Sequence, residues 1–456
     1  MKRIISIIIC LIMVLSVLCG CGNTADTNNP ADSDGKDLGG RTFKIMVNGW
    51  NIPDLKDEKD SFAQTAKKFG CNFEFIEFSD EIATYNNLVM SYLAGTADYD
   101  ALVMRGYNVC PLYSASGVIL NMSKHYDFKT DKTWSNPLVS SVGVWRGDRY
   151  GLPVHPVETG YAIWYNKSML SQANIPDLWE YVENNTWTFE TFREVCKKLT
   201  QVKNGKTTVY GFAGEEIFSS FMLANGGTFI DINGEKAQLK ISEDANINAM
   251  QYVLDLYNVD KSIPSKALIE EWGNPSVLDM FSTGKVAMTA YGVWAGPAFQ
   301  NAGMKPENLG WIYFPKGEDA TDYVVPGLTP PRTMVVPSLA KNPEDIVAVL
   351  ADALGYWGET KEYPKTIESY YDEVLENDQM LDILVGNNKK CYIEGAALTK
   401  YTNLYNYEGI LNVYGEMTDK LLANELTPKA AVESYSSKIQ SKIDVIENGI
   451  NLEDYE

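Results

Sequence analysis

Histidine is almost missing from this 456-residue chain, which has two, His125 and His155. A His-based triad or a His-rich metal cluster is thereby nearly excluded. Basic charge is scarce as well: 39 Lys and Arg stand against 60 Asp and Glu, a net charge of −21. Phosphate binding wants a basic face, so nucleic acid is not an expected partner. An acidic surface is compatible with a soluble protein held near an anionic envelope without sticking to it. Beyond the N-terminus the cysteines Cys71, Cys110, Cys196 and Cys391 are widely scattered and form no CxxC pair. Neither a zinc site nor a redox motif is suggested, and most are read as buried small hydrophobes. Asp231, Asn233 and Glu235 start like a calcium loop but lack its distal carboxylate, so a turn is expected there. No metal and no cofactor is expected.

The apolar run from Ile4 to Leu18 follows Lys2 and Arg3 and is too short to favour a permanent membrane span. It reads as an export signal over 1–20. The run ends Leu18-Cys19-Gly20-Cys21, which resembles a lipobox with cleavage before Cys21 and a diacylglyceryl group on its sulfur; Cys19 departs from the usual small or hydroxyl residue. Residues 21–40 continue with Asn, Asp and Gly and almost nothing apolar, so they cannot repay their ordering entropy and read as a flexible tether. A lipid on Cys21 would hold a soluble body at the outer face of a bacterial cell membrane.

That body is long enough for two domains with full cores. Strands at Thr42–Val47, Asn72–Phe78 and Tyr99–Met104 alternate with amphipathic helices near 57–69 and 85–93, which argues a parallel α/β sheet. In such sheets ligands sit beyond the carboxyl ends of strands. Here those ends carry Trp50 and Asn51 after the first strand, and Arg105 and Tyr107 after the third. An aromatic face beside planar hydrogen-bonding groups suits a sugar, although simple packing explains each aromatic taken alone about as well.

The middle of the chain turns on RGDRYGLPVHPVETGYAIWYNKSML, Arg146 to Leu170. Pro153 and Pro156 keep the backbone extended. Gly160–Asn166 reads as a buried strand and Lys167 onward as a short helix, so Glu158 to Tyr161 lie between two structured halves. Thr188 looks like a helix start, with Phe192, Val195, Cys196 and Leu199 on one face. Further on, Phe281-Ser-Thr-Gly-Lys-Val-Ala-Met288 is followed by Tyr291-Gly292-Val293-Trp294. There a helix ends at Gly284, a strand runs from Lys285 to Ala290, and a loop opens the next helix. Pro330-Pro331-Arg332-Thr333 leads into a strand from Met334. Arg332 could serve a polar or anionic ligand or equally a surface ion pair. Helices are expected at 343–357, 365–375, 378–384, 401–424 and 428–446.

The order YGLP, aromatic strand, YNK, short helix, WT and a helix ending KKLT resembles the extracellular solute-binding proteins of family 1, the maltose-binding-protein-like receptors of bacterial ABC importers. The FSTGKVAM…YGVW stretch closely resembles the same family. The resemblance implies an α/β periplasmic-binding-protein fold of type II, with two lobes joined by three crossing segments around a ligand cleft. It places the N-terminal lobe at 41–157 with 314–359 and the C-terminal lobe at 158–313 with 360–456, and reads Gly310–Pro315 as a crossing. It further implies that Trp294 stacks on a sugar, that Glu215, Glu216 and Phe218 supply second-lobe contacts, and that an aromatic near Tyr405 and Tyr407 adds another. The candidate ligand set is therefore Trp50, Asn51, Arg105, Tyr107, Glu158, Tyr161, Glu216, Phe218, Tyr291, Trp294, Arg332 and Tyr405, with no catalytic residue. The implied partners are a carbohydrate, the importer's membrane subunits and the membrane itself, and the implied state is a monomer. A two-carboxylate glycosidase using Glu158 with Glu215 or Glu216, or a structural envelope lipoprotein, remains the alternative.

Overall fold

The computed structural model describes residues 36–49, 52–135, 142–154, 161–231, 234–326, 331–355, 383 and 410–455. The expected leader and tether to residue 35, Cys21, the expected helices at 365–375 and most of 378–384, and Cys391 lie outside them. The strands are β1 Thr42–Val47, β2 Asn72–Glu77, β3 Ala101–Met104, β4 Val144–Trp145, β5 Asp148–Arg149, β6 Leu152–Pro153 and β7 Ala162–Asn166. They continue with β8 Gln201–Lys203, β9 Lys206–Gly214, β10 Ile230–Asp231, β11 Gln238–Leu239, β12 Val286–Tyr291, β13 Leu309–Ile312 and β14 Thr333–Val335.

Two five-stranded sheets result, ordered β2-β1-β3-β14-β6 and β13-β7-β12-β9-β8. In the first, β1 runs parallel to β2 and β3, while β14 returns antiparallel between β3 and β6. Each sheet has its own apolar core. β3 shows why the first sheet is covered on both faces. Ala101 and Val103 join one cluster with Phe43, Ile45 and Val47, and Leu102 and Met104 join another with Tyr85, Leu88 and Tyr113. That division is the period-two alternation of a strand buried on both sides. The second core gathers Trp164, Phe192, Phe212, Phe221 and Trp311 around β7, β9, β12 and β13.

Local chemistry fixes the helix ends. Asp60 accepts from the Phe62 N–H at the start of Ser61–Phe69, and Gly70 closes that helix in the left-handed region at φ 56°. Thr188 accepts from the Thr191 N–H and begins Phe189–Leu199, as its sequence suggests. Helices also occupy Glu81–Leu93, Ile217–Ala224, Pro343–Leu354, Ile410–Leu422 and Pro428–Glu447. Among the described residues, Cys71 and Cys196 are free, and they and Cys110 are buried. No described helix is long and apolar enough to cross a membrane.

The expected crossing at Gly310–Pro315 needs correction. Leu309–Ile312 is instead a strand of the second sheet, paired antiparallel with β7. Phe314 and Val325 remain in the second core, and Gly317 N–H donates to the Ala224 carbonyl. The chain leaves the second lobe only after Pro326, whose carbonyl accepts from Tyr161 N–H at 2.6 Å. It has joined the first by Arg332, whose carbonyl accepts from Val154 N–H at 3.0 Å. An aromatic, β-branched run reads the same way as a crossing and as an edge strand. The start of the lobe segment expected at 314 therefore moves about a dozen residues later, by the ordinary rule that a segment belongs with the core it packs against.

Candidate functional site

Tyr161, Glu215 and Tyr291 meet because three strands of the second sheet end at one edge. β12 runs parallel to β9, pairing Ala290 with Gly214, and antiparallel to β7, pairing Tyr291 with Ala162. The residues just beyond those pairs are Tyr161, Glu215 with Glu216, and Gly292 to Trp294. The Tyr161 and Tyr291 rings stack with centroids 5.4 Å apart at 13°, and Trp294 meets Tyr291 edge-on at 4.8 Å and 69°. Both tyrosines are buried, whereas Trp294 keeps 41% of its surface exposed. Gly292 allows this arrangement, since a Cβ there would lie 2.5 Å from the Trp294 indole nitrogen. The Trp164 indole N–H donates to the Gly292 carbonyl at 3.1 Å and anchors the turn from below.

Two glutamates follow β9, and Glu215 reaches these rings. The Tyr291 hydroxyl donates to Glu215 Oε1 at 3.4 Å, and its own ionisation is pushed up to about 12, chiefly by burial and then by that carboxylate. Glu216 adopts a left-handed backbone at φ 49° immediately before the helix Ile217–Ala224. Ser219 Oγ donates to the Glu216 carbonyl at 3.0 Å. Burial and the neighbouring Glu215 raise the Glu216 carboxyl above the ordinary range, against a smaller opposing effect of Ser219. A carboxyl raised on folding binds more protons in the folded than in the unfolded state, so its contribution to stability is full at low pH and is lost as pH rises through the folded value. Glu216→Gln is therefore expected to flatten the decline in stability above the normal carboxylate range; urea unfolding at a series of pH values measures this, and an unchanged pH profile would contradict it.

The first lobe contributes a cationic wall at the carboxyl ends of β1 and β3. Glu81, in the first turn of Glu81–Leu93, takes Arg105 Nε on one oxygen at 2.7 Å and Arg332 Nη1 on the other at 2.8 Å. The Arg105 backbone N–H donates to the Tyr85 hydroxyl at 3.1 Å. Gly49, at φ 57°, lies so close that a Cβ would run into the Arg332 guanidinium. Val154 N–H donates to the Arg332 carbonyl at the first wall, and Tyr161 N–H donates to the Pro326 carbonyl at the second.

Of the candidate ligand set, Tyr161, Glu216, Tyr291 and Trp294 thus come together in the second lobe, and Arg105 and Arg332 in the first. Phe218 is 6% exposed, about as buried as Tyr161 and Tyr291, and packs in the second core on the helix Ile217–Ala224, whose every residue is buried. Tyr107 lies in the short helical turn after β3, and nothing is described of its side chain. Trp50, Asn51, Glu158 and Tyr405 lie outside the described residues. The reading missed Glu81. A carboxylate in a first helical turn already has a sufficient local reason in the helix dipole, and nothing in sequence points to its shared arginines. Among the described residues no cluster of three or more His, Cys, Asp or Glu side chains is placed to hold a metal ion.

A family model described as bacterial extracellular solute-binding protein matches residues 72–354. Among curated proteins, none matches the chain in sequence. Solved structures do match in shape. The GacH receptor of Streptomyces glaucescens, determined unliganded and with acarbose, is 17% identical over 89% of this chain and 99% of the receptor, with a TM-score of 0.59. A sugar transporter of Rhizobium etli in an open conformation is 16% identical over 88% and 99%, with a TM-score of 0.62. The maltose/maltodextrin-binding domain MalE of Bdellovibrio bacteriovorus, bound to maltotriose, is 16% identical over 89% and 99%, with a TM-score of 0.53. At these identities the likeness establishes the fold, a type II periplasmic-binding-protein fold.

Proposed function

Because the chain belongs to the bacterial extracellular solute-binding proteins, we propose that it is the substrate-binding lipoprotein of an ABC importer, capturing a carbohydrate, most naturally an oligosaccharide, between its lobes. The observation that carries this reading is Trp294, a large aromatic left 41% exposed at the strand ends and backed by Tyr291 and Tyr161. An indole face matches the C–H surface of a sugar ring, while Glu215 and Glu216 supply carboxyl oxygens that accept hydrogen bonds from hydroxyls. Arg105 and Arg332 supply planar donors from the other lobe, oriented in advance by Glu81. The relatives solved with acarbose and maltotriose support a carbohydrate as the ligand.

Binding to both walls at once favours the closed arrangement, because only the closed form makes all the contacts. The importer's membrane subunits then distinguish closed from open and accept the sugar. In this reading the protein acts as a monomer, extracytoplasmic, anchored through a lipid on Cys21 at the outer face of the cell membrane. It performs no chemistry on its ligand: the carboxylates serve as acceptors, and no specific observation favours a glycosidase. A thermal-shift screen against mono- and oligosaccharides, uronates and short peptides tests the proposal. A ligand at a hundred times its Kd adds about 2.7 kcal/mol of stability, which a melting curve resolves readily. One oligosaccharide is expected to raise the melting temperature. A shift with peptides alone would overturn the carbohydrate assignment.

A further inference from the structure

The last helix, Pro428–Glu447, belongs to the second lobe. Ala431, Val432, Tyr435, Ile439, Ile443 and Ile446 all lie in that lobe's core. The residues that follow do not stay there. Gly449, at φ 82°, brings the chain against the backbone of Ala115 and Ser116, so close that a Cβ would lie 2.5 Å from the Ser116 nitrogen. Ile450, Leu452 and Tyr455 then pack against the first-lobe cluster of Tyr85, Leu88, Leu102 and Tyr113, and the Tyr455 hydroxyl donates to Asn86 Oδ1 at 3.2 Å. The C-terminal lobe expected at 360–456 therefore does not extend to its end: residues 449–455 are seated on the other lobe.

A second contact meets the same joint. The β4–β5 hairpin is held firmly in the first lobe, because Arg149 is buried with its guanidinium 5.2 Å from both the Phe128 and Trp134 rings and donates to the Val142 and Gly151 carbonyls. Its tip presents Arg146, stacked 4.8 Å over Trp145. Arg146 donates to the Gly234 carbonyl at 2.9 Å and to Glu447 Oε1 at 2.9 Å. The Glu447 carboxylate also accepts the Ala237 N–H at 3.1 Å. One carboxylate at the end of the last helix thus holds an arginine from the first lobe and a backbone amide from the second. Trp145 packs against both cores beside it.

We propose that residues 447–455 form a further connection between the lobes, outside the ligand site, and that Arg146 on Glu447 locks it and sets how far the ligand-free protein opens. The lobes cannot rotate past one another without bending the chain between Glu447 and Gly449 or breaking the Arg146 contacts. Arg146 is accordingly a positioning residue that influences ligand affinity without touching ligand. This rests on the hinge-closure reading above, but not on the identity of the ligand.

The test is made on the full chain without ligand, with spin labels at Lys56→Cys in the first lobe and Glu270→Cys in the second, both exposed positions. Arg146→Ala is expected to broaden the distribution of label distances and shift its maximum, with the melting temperature close to that of the parent. Glu447→Gln should shift it in the same direction by less, since the amide oxygen still accepts from Ala237. Removal of 449–456 should give at least the Arg146→Ala shift; if that truncation does not fold, Arg146→Ala decides alone. Distance distributions for Arg146→Ala that coincide with the parent would overturn the proposal. Because no ligand is present, a failed carbohydrate screen leaves this result readable.

Discussion

Replacing Trp294 by alanine is expected to weaken ligand binding by about 2 kcal/mol or more, roughly a thirty-fold rise in Kd, with little change in the stability of the unliganded protein. The asymmetry follows from placement. Trp294 is the exposed member of the aromatic group, at 41%, while the tyrosines behind it are buried at 7% and 8% and belong to the core. Removing its indole takes away ligand contact surface and leaves the core almost intact. Trp294→Phe should retain part of the stacking and lose less affinity. Titration calorimetry with the sugar found in the screen measures both variants. Equal affinity for Trp294→Ala and the parent would remove Trp294 from the site.

Gly211→Ala is expected to be among the most damaging single substitutions in the second lobe, costing about 3 kcal/mol. Gly211 lies in β9, where the helix Phe189–Leu199 crosses at backbone distance. An added Cβ would run into the Cys196 carbonyl oxygen and come within 2.6 Å of the Cys196 Cα. The obstruction is backbone on both sides and no side-chain rotation relieves it, so helix and strand would have to separate and open the packing of Phe192 on Phe212. Urea unfolding should show a lower midpoint with an unchanged slope. A midpoint within error of the parent would mean that helix and sheet are less tightly seated than described.

The features that sequence made legible are those whose cause is local. β1 occupies Thr42–Val47 as expected because its alternation is strict, and Phe189–Leu199 starts where Thr188 supplies a cap. Trp294 is singled out in the sequence by the resemblance of the FSTGKVAM…YGVW stretch to the solute-binding family, and it lies 41% exposed just beyond the strand Val286–Tyr291. What escaped depends on distant partners. Glu81 and Arg332 are 251 residues apart, and neither residue announces the other. Phe218 enters the candidate set through the family resemblance alone, which carries no sign that the helix Ile217–Ala224 is buried along its whole length. The exit from the second lobe was placed too early because Gly310–Ile312 is extended in either role, and pairing with β7 decides between them. The departure of 449–455 was invisible for a similar reason. A few residues after a helix carry no periodicity, and their destination is set by an apolar surface elsewhere in the fold.

The most direct test of the central claim is to equilibrate the protein with a mixture of neutral oligosaccharides, wash it, denature it and weigh what it releases by mass spectrometry. The proposed role predicts one sugar per chain, recovered at its original mass and no longer retained by Trp294→Ala. Release of shortened products would identify a hydrolase acting through Glu215 or Glu216, and retention of no sugar by the parent protein would contradict carbohydrate capture altogether.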